Sequence, residues 1–297
     1  SKPPPIQAHA VLSKMLKNQV AIITGATRGI GRQVALTFAR EGAKIVVAGK
    51  STEDKPNLPG TIYSVAREVE GLGSEALPIA CDVLQEDQVN AMVEKTINKW
   101  GRVDILVNNA GALWWKKIVD TPMKRYDLIN GVNSRATFMC SKAVIPHMLA
   151  RKHGHIINMS PPIDFNMLDG KVGYCISKFG MTLVAHGIGR ELKGEGVACN
   201  ALWPATIIES FASINFQLGE RALWRKADIL ADACLMICKE DPNTFTGYAL
   251  IDEDYMRARG VTDFTKYRCD PNVEPPRMTE FEPGSWERDK PPTSAKL

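Results

Sequence analysis

The chain has 297 residues, and its 37 Lys and Arg against 33 Asp and Glu leave a formal net charge of only +4. There is no cluster of basic residues of the kind that binds nucleic acid, and no run of 18 apolar residues that could span a membrane. Seven cysteines and five histidines are scattered without the spacing of a disulfide framework or a zinc site. We therefore expect free thiols, no metal, no nucleic-acid partner and no membrane span.

Short apolar segments alternate with longer helix-like segments along the chain. After a Pro-rich and then basic N-terminal arm (1–17), the apolar segments are 20–24, 44–48, 76–81, 105–107, 155–159, 197–202 and 248–251. Each is almost continuously apolar, which is typical of strands buried on both faces of a parallel sheet. Residues 18–262 are therefore predicted to form an α/β domain: a single doubly wound, Rossmann-type parallel sheet with helices on both faces.

Residues 263–297 have a different composition. They are rich in proline and charge, and the six prolines between 271 and 292 exclude a long helix. We predict an extended C-terminal tail after the domain.

The first predicted strand leads directly into a glycine-rich loop. Residues 24–31 read Thr-Gly-Ala-Thr-Arg-Gly-Ile-Gly, and a helix-like segment, 32–40, follows. Glycines let a backbone approach a pyrophosphate closely, and a helix N-terminus offers free N–H groups to it. The position between strand and helix favours a dinucleotide site over a plain turn. The predicted cofactor-binding residues of this loop are Gly25, Thr27, Arg28, Gly29, Ile30 and Gly31.

A second motif lies on a predicted helix, 173–193. Tyr174 and Lys178 are four residues apart, so both side chains lie on one helix face. A free tyrosine has a pKa of about 10, and a neighbouring ammonium group lowers it. The spacing therefore predicts that Tyr174 can exchange a proton near neutral pH.

These motifs together resemble the short-chain dehydrogenase/reductase family. The Thr-Gly-x-x-x-Gly-x-Gly loop, the Asn-Asn-Ala-Gly of 108–111 and the Tyr-x-x-x-Lys pair occur in the family's order, and the match runs from about residue 18 to residue 251. The resemblance implies that a nicotinamide cofactor transfers a hydride while Tyr174 exchanges a proton with the substrate oxygen. It also implies that Lys178 holds the nicotinamide ribose and that Asn133 holds a water relay to this lysine. It further implies cofactor contacts from Asp82, Val83, Asn109, Ala110, Gly111, Tyr174, Lys178, Pro204 and Ile207.

The family's helper serine is matched only in part. The strand 155–159 is followed by Ser160, Pro161 and Pro162. A common family pattern is Ser-Ser, with the second serine catalytic, and Pro161 stands at that second position. Ser160 therefore either polarises the substrate carbonyl as a catalytic residue or only caps the strand.

The second strand is followed by a lysine instead of a carboxylate. An acidic residue at this turn would bond the ribose 2′-hydroxyl of NAD. Lys50, with Arg28 of the glycine-rich loop, can instead bind a 2′-phosphate. Glu53 and Asp54 follow closely, and solvated surface charges are the alternative interpretation of both cations. We predict NADP(H) in preference to NAD(H).

Apolar residues near the predicted crevice indicate the substrate. Trp114 and Trp115 follow the 108–111 loop, and the apolar side chains within 207–224 occupy the position of the family's substrate lid. Both features also suit ordinary packing or a dimer contact. We predict reduction of a carbonyl, or oxidation of a secondary alcohol, on a lipophilic, lipid-like or acyl small molecule. The rival is an NADPH- and lipid-binding protein with weak or no turnover, because Pro161 replaces the usual serine.

Further matches indicate a branch of the family, a location and an assembly. Residues 49–52, 60–63, 157–162 and 201–204 resemble a hydroxysteroid dehydrogenase-like branch, which is peroxisomal and mitochondrial and linked to lipid metabolism. Longer members carry a sterol-carrier domain, and this sequence ends before one. Segments 125–150 and 173–193 match the family's dimer helices, which predicts a homodimer or homotetramer.

The last three residues, Ala295-Lys296-Leu297, resemble a peroxisomal import signal. We expect an import receptor as a partner and a peroxisome or related microbody as the location, with cytosol or mitochondrion as the alternatives.

Overall fold

A computed structural model describes residues 14–56 and 58–278. Its centre is a seven-stranded sheet in which every pairing is parallel, in the order β3-β2-β1-β4-β5-β6-β7. The strands are β1 (Val20–Thr24), β2 (Lys44–Gly49), β3 (Ala76–Ala80), β4 (Ile105–Asn108), β5 (Gly154–Met159), β6 (Val197–Trp203) and β7 (Ala249–Ile251). All seven overlap the apolar segments, so the predicted doubly wound parallel sheet is confirmed.

Helices cover both faces of this sheet. They are α1 (Gly29–Arg40), α2 (Ile62–Gly71), α3 (Glu86–Trp100), α4 (Met123–Asn130), α5 (Ala136–Arg151), α6 (Val172–Glu191), α7 (Phe211–Asn215), α8 (Asp228–Ile237) and α9 (Asp252–Ala258). Alternate strand residues point to opposite faces, so Ile23 and Val47 pack under α1, α2 and α8, whereas Ile22 and Val46 pack under α3 and α5. Within the described residues, no helix is long and apolar enough to cross a membrane.

A π-helical turn, Gly131–Arg135, joins α4 to α5. Such turns insert an extra residue into a helix and are frequent at functional sites. The turn contains Asn133, which is fully buried.

The order of the strands determines where a ligand can bind. The chain crosses from β1 to β2 and β3 on one side and from β4 to β5, β6 and β7 on the other. The switch in direction therefore lies between β1 and β4, where a crevice opens at the strand carboxyl ends. The glycine-rich loop follows β1 and the 108–111 loop follows β4, so both lie at this crevice.

Both ends of the described chain pack more closely than the predicted arm and tail. Leu16 is 1% exposed, and its N–H donates to the Glu41 carbonyl. Phe264 and Tyr267 are 4% and 2% exposed, so the packed domain extends past the predicted boundary at residue 262. The physical reason is that these aromatic side chains bury apolar surface even though prolines exclude a helix. The Ala295-Lys296-Leu297 signal lies outside the described residues and stays a prediction.

Candidate active site

Thr24 and Asn109 bind the glycine-rich loop to the loop after β4. The Thr24 hydroxyl accepts hydrogen bonds from the N–H groups of Asn109 and Ala110, both at 3.1 Å. The Asn109 side-chain amide donates to the carbonyls of Thr24 and Gly25 at 3.0 and 3.1 Å. These bonds satisfy polar groups that the ends of β1 and β4 leave without strand partners.

Two glycines of this loop have no room for a side chain. Gly25 has φ +65°, and a β-carbon there would lie 2.9 Å from the Ala110 Cα. A β-carbon at Gly31 would lie 2.4 Å from both the Asn109 Nδ2 and the Gly25 carbonyl oxygen. The loop therefore presents bare backbone at the N-terminus of α1, which is the geometry that a pyrophosphate requires.

Tyr174 and Lys178 lie on one face of α6 and are both buried. The Lys178 ammonium donates to the Met159 carbonyl at 2.8 Å. The ring of Tyr174 packs edge-on against Trp115, with 6.0 Å between ring centroids. A β-carbon at Gly111 would lie 3.6 Å from the Lys178 Nζ, so the 108–111 loop and α6 meet at this point.

Burial shifts the pKa values of this pair in opposite directions. It raises the pKa of the Tyr174 phenol and lowers the pKa of Lys178 to about 8, because a charged form loses hydration in both cases. The expected lowering of the tyrosine pKa by the lysine is therefore wrong for this structure, since desolvation dominates. The Tyr174 phenol is therefore protonated at neutral pH.

The pH dependence should follow Lys178. Its ammonium is present below its lowered pKa of about 8 and is lost as the pH rises through that value. We expect kcat/KM for the reduced cofactor, which reports ionisations of the free enzyme, to be flat near pH 7 and to fall above about pH 8. A guanidinium keeps its proton throughout this range, so Lys178→Arg should lose this descent. A descent placed near pH 10 in the wild type would contradict the desolvated lysine.

The buried Asn133 side chain links the loop after β4 to α6. Its side-chain oxygen accepts from the Ala112 N–H at 2.8 Å, and its amide donates to the Ala112 carbonyl and to the Ser177 hydroxyl at 3.0 and 2.8 Å. The predicted water relay to Lys178 stays a prediction. What the structure shows is a clamp between the loop after β4 and α6.

Ser160 is placed differently from the predicted helper serine. It is fully buried, its hydroxyl is directed to the Asn158 carbonyl at 3.5 Å, and it does not line the cavity. The Pro161 carbonyl accepts from the Thr182 hydroxyl at 2.5 Å, which holds the turn against α6. Because the turn is fixed in this way, Ser160 caps the end of β5 and does not face a substrate.

The two predicted phosphate-binding cations line the cavity but already have partners. The Arg28 guanidinium donates to the Ser51 hydroxyl and to the carbonyls of residues 58, 59 and 60. The Lys50 Nζ lies 2.9 Å from the Asp82 Oδ2. Arg28 therefore holds the chain segment after β2 against the glycine-rich loop. The sequence pattern does not predict that this segment packs there.

One cavity of about 980 Å³ brings most of the predicted residues together. The predicted residues that line it are Gly25, Thr27, Arg28, Gly29, Ile30, Lys50, Asp82, Val83, Asn109, Ala110, Gly111, Tyr174, Lys178 and Ile207. Gly31, Asn133, Ser160 and Pro204 lie outside the lining. The sequence analysis missed Leu113, Met167, Lys171, Trp203 and Met278, which also line it. The described residues contain no group of acidic, His or Cys side chains that could hold a metal ion.

Comparison with known proteins identifies the family. The sequence pattern of the short chain dehydrogenase family matches residues 19–215. The chain belongs to this family. It is therefore a member of a family of oxidoreductases, and a likeness to the hydroxysteroid dehydrogenase-like branch is confirmed. The chain is 46% identical over 252 residues to hydroxysteroid dehydrogenase-like protein 2 of Mus musculus, covering 84% of this chain and 51% of the relative. The same protein of Danio rerio is 44% identical over 254 residues, covering 84% and 60%.

The chain thus spans between half and two thirds of the length of these relatives. Among solved structures, a protein described as a dehydrogenase of Xanthomonas campestris is 40% identical, with a TM-score of 0.86, and the match covers 90% of this chain and 99% of that one. A metagenomic short-chain oxidoreductase in complex with NADP is 28% identical, with a TM-score of 0.67, covering 80% and 97%.

Proposed function

We propose that this protein is an NADP(H)-dependent oxidoreductase that reduces a carbonyl, or oxidises a secondary alcohol, on a lipophilic small molecule. The observation that carries the proposal is one continuous cavity of about 980 Å³. It runs from the bare glycine loop at the N-terminus of α1, past Tyr174 and Lys178, to apolar side chains of the segment after β6.

The residues present fit a nicotinamide dinucleotide. Gly25 presents bare backbone to the cavity, Gly31 lets the glycine-rich loop pack closely against Asn109, and the crevice lies at the switch point of the sheet. When bound, the nicotinamide supplies or accepts the hydride. Tyr174 donates its phenolic proton to the substrate oxygen during reduction and takes it back during oxidation. The Lys178 ammonium stabilises the Tyr174 phenolate that forms during reduction.

The apolar lining supports a lipophilic substrate. Leu113, Trp115, Trp203, Phe211 and Leu218 line the cavity together with Tyr174. Apolar surface of this kind favours ligands that bury hydrocarbon, whereas a few polar groups fix their orientation. Because Tyr174 lines the cavity and Ser160 does not, the proposal assigns the proton transfer to Tyr174.

The test is single-turnover hydride transfer. The protein is mixed with NADPH and a panel of aliphatic ketones, 3-oxoacyl thioesters and steroid ketones, and the loss of NADPH absorbance is followed. Oxidation of bound NADPH by at least one lipophilic carbonyl supports the proposal. Tight NADPH binding without transfer to any compound would instead support the binding-protein alternative.

The choice of cofactor can be tested at Lys50. The second strand ends without a carboxylate, and a 2′-phosphate can replace Asp82 as the partner of Lys50. We expect Lys50→Asp to weaken NADPH binding by about tenfold or more, the effect of one lost charge-assisted contact, and to leave NADH binding similar or tighter. Dissociation constants from fluorescence titration measure both.

The matched control for this experiment is Lys95→Asp, which makes the same charge change at an exposed site on α3. It should alter neither constant. Equal affinity of the wild type for NADPH and NADH would show that Lys50 does not select the cofactor.

We also propose an even homo-oligomer. Three large apolar side chains on α5 and α6 are exposed in the isolated chain: Phe138 by 60%, Ile176 by 46% and Leu183 by 58%. A second copy of the chain would bury them against the same helices. We expect the wild type to be a dimer or tetramer by light scattering, and Phe138→Asp with Leu183→Asp to be a monomer. Tyr63→Asp on α2 is the control, and a monomeric wild type at micromolar concentration would refute the assembly.

A further inference from the structure

Residues 264–278 pack against the domain as a C-terminal strap. The Lys226 N–H donates to the Tyr267 carbonyl at 2.7 Å, and the Cys269 N–H donates to the Trp224 carbonyl at 3.0 Å. Residues 224–226 and 267–269 are therefore paired in antiparallel fashion, centred on the bridge between Arg225 and Arg268.

On their other side, residues 224–226 hold the cavity wall. The Arg225 N–H donates to the Ile207 carbonyl at 3.0 Å, and the Glu209 N–H donates to the Arg225 carbonyl at 2.8 Å. Ile207 lines the cavity, and the chain that continues from Glu209 contributes Phe211 and Leu218 to it. The strap therefore supports the wall through one intervening strand-like segment.

A buried charge fixes the strap in place. The Arg225 side chain is 1% exposed, and its guanidinium donates to the Glu253 carboxylate at 2.9 Å, to the Glu274 carboxylate at 2.6 Å and to the Phe264 carbonyl at 3.2 Å. A buried guanidinium is strongly destabilising when a partner is removed. Two of its three partners, Phe264 and Glu274, belong to the strap. The Arg225 guanidinium therefore holds the strap against the domain.

The strap ends at the cavity. The Met278 N–H donates to the Ala205 carbonyl at 2.7 Å, and the Met278 side chain lines the cavity while 43% of it is exposed. The Ala205 N–H donates in turn to the Asp252 carboxylate at 2.8 Å. Ala205 is thus fixed from both sides, which places the backbone of Met278 firmly at the cavity rim.

We propose that Met278 is a specificity-determining residue that sets how long an apolar chain the cavity accepts. The proposal rests on the proposed function, since it assumes a substrate with a hydrocarbon portion. Met278 lines the same cavity as Phe211 and Leu218, and its flexible, unbranched thioether side chain can adapt to a bound hydrocarbon chain. A larger side chain at this position shortens the accepted chain, and a smaller one lengthens it.

The test uses a homologous series of methyl ketones from 2-butanone to 2-dodecanone, reduced with saturating NADPH. We expect Met278→Trp to lower kcat/KM for the longest ketones by at least about tenfold, the affinity carried by roughly two methylene groups, and to leave 2-butanone within about twofold. Met278→Ala should move the preference towards longer ketones. The matched control is Met15→Trp, an exposed methionine that precedes β1, at the amino ends of the strands, and does not line the cavity.

A second measurement does not depend on turnover. Primary alcohols of the same chain lengths displace the dye 1-anilinonaphthalene-8-sulfonate from the NADPH-bound protein, and the length at which affinity stops rising should be shorter for Met278→Trp. If the wild type reduces no ketone but the alcohols show this shift, the substrate class proposed above fails while the role of Met278 stands. Met278→Trp profiles that match Met15→Trp, an equal loss at every length, or no binding of any alcohol would overturn the role of Met278.

Discussion

Tyr174→Phe should abolish turnover while the protein stays folded and binds NADPH. The change removes only the phenolic oxygen, so the ring keeps its edge-on packing against Trp115. Loss of a positioned general acid lowers a rate by about 10² to 10⁴. The measurement is kcat on the best ketone of the panel, with thermal unfolding and NADPH titration alongside.

Tyr63→Phe is the control for this experiment, because it removes the same oxygen from an exposed tyrosine on α2. It should leave kcat unchanged. If Tyr174→Phe retained wild-type turnover on any substrate, the proton would have to come from another group, and the assignment of α6 as the catalytic helix would fail.

Gly31→Ala should weaken NADPH binding, because a side chain at this position has no space. A β-carbon at Gly31 would lie 2.4 Å from the Asn109 amide and the Gly25 carbonyl, which already bond to each other. Insertion of a methyl group into such packing costs about 1–3 kcal/mol. Relief of the clash would displace the glycine-rich loop, so we expect the NADPH dissociation constant to rise at least about tenfold, with a lower melting temperature.

Gly71→Ala provides a matched pair within the same protein. Gly71 also lies in a helix, at the end of α2, but a β-carbon there would meet nothing within 4 Å. The substitution should stabilise the protein by about 0.5–1 kcal/mol, the usual advantage of alanine over glycine in a helix. If both variants bound NADPH like the wild type, the close approach at Gly31 would have no role in cofactor binding.

Local features of the sequence were sufficient to predict the sheet and the placement of Tyr174 and Lys178 on one helix. Strands buried on both faces have to be continuously apolar, and a helix places residues four apart on one face. Tyr174 and Lys178, whose placement depends only on this helical periodicity, therefore both lie on α6 and line the cavity. The glycine-rich loop is equally local, since it needs only its place between β1 and α1.

Features that depend on distant partners could not be predicted in this way. Whether Arg28 contacts a phosphate or a carbonyl depends on whether residues 58–60 fold back against it. The periodicity of the sequence does not predict that contact. The direction of the Ser160 hydroxyl depends on Thr182, 22 residues later, holding the turn. The proline-rich composition of residues 263–278 correctly excluded a long helix, but composition cannot show that Glu274 has a buried arginine as its partner.

The attachment of the strap also sets an order of events during biosynthesis. Chains emerge from the ribosome N-terminus first, and the segments released early can fold before the rest is made. The glycine-rich loop and the loop after β4 meet once residue 109 has emerged, whereas Arg225 acquires Glu274 only some 50 residues after its own synthesis. The nascent protein can therefore bring the glycine-rich loop and the loop after β4 together early, and it adds the strap that supports the cavity wall last.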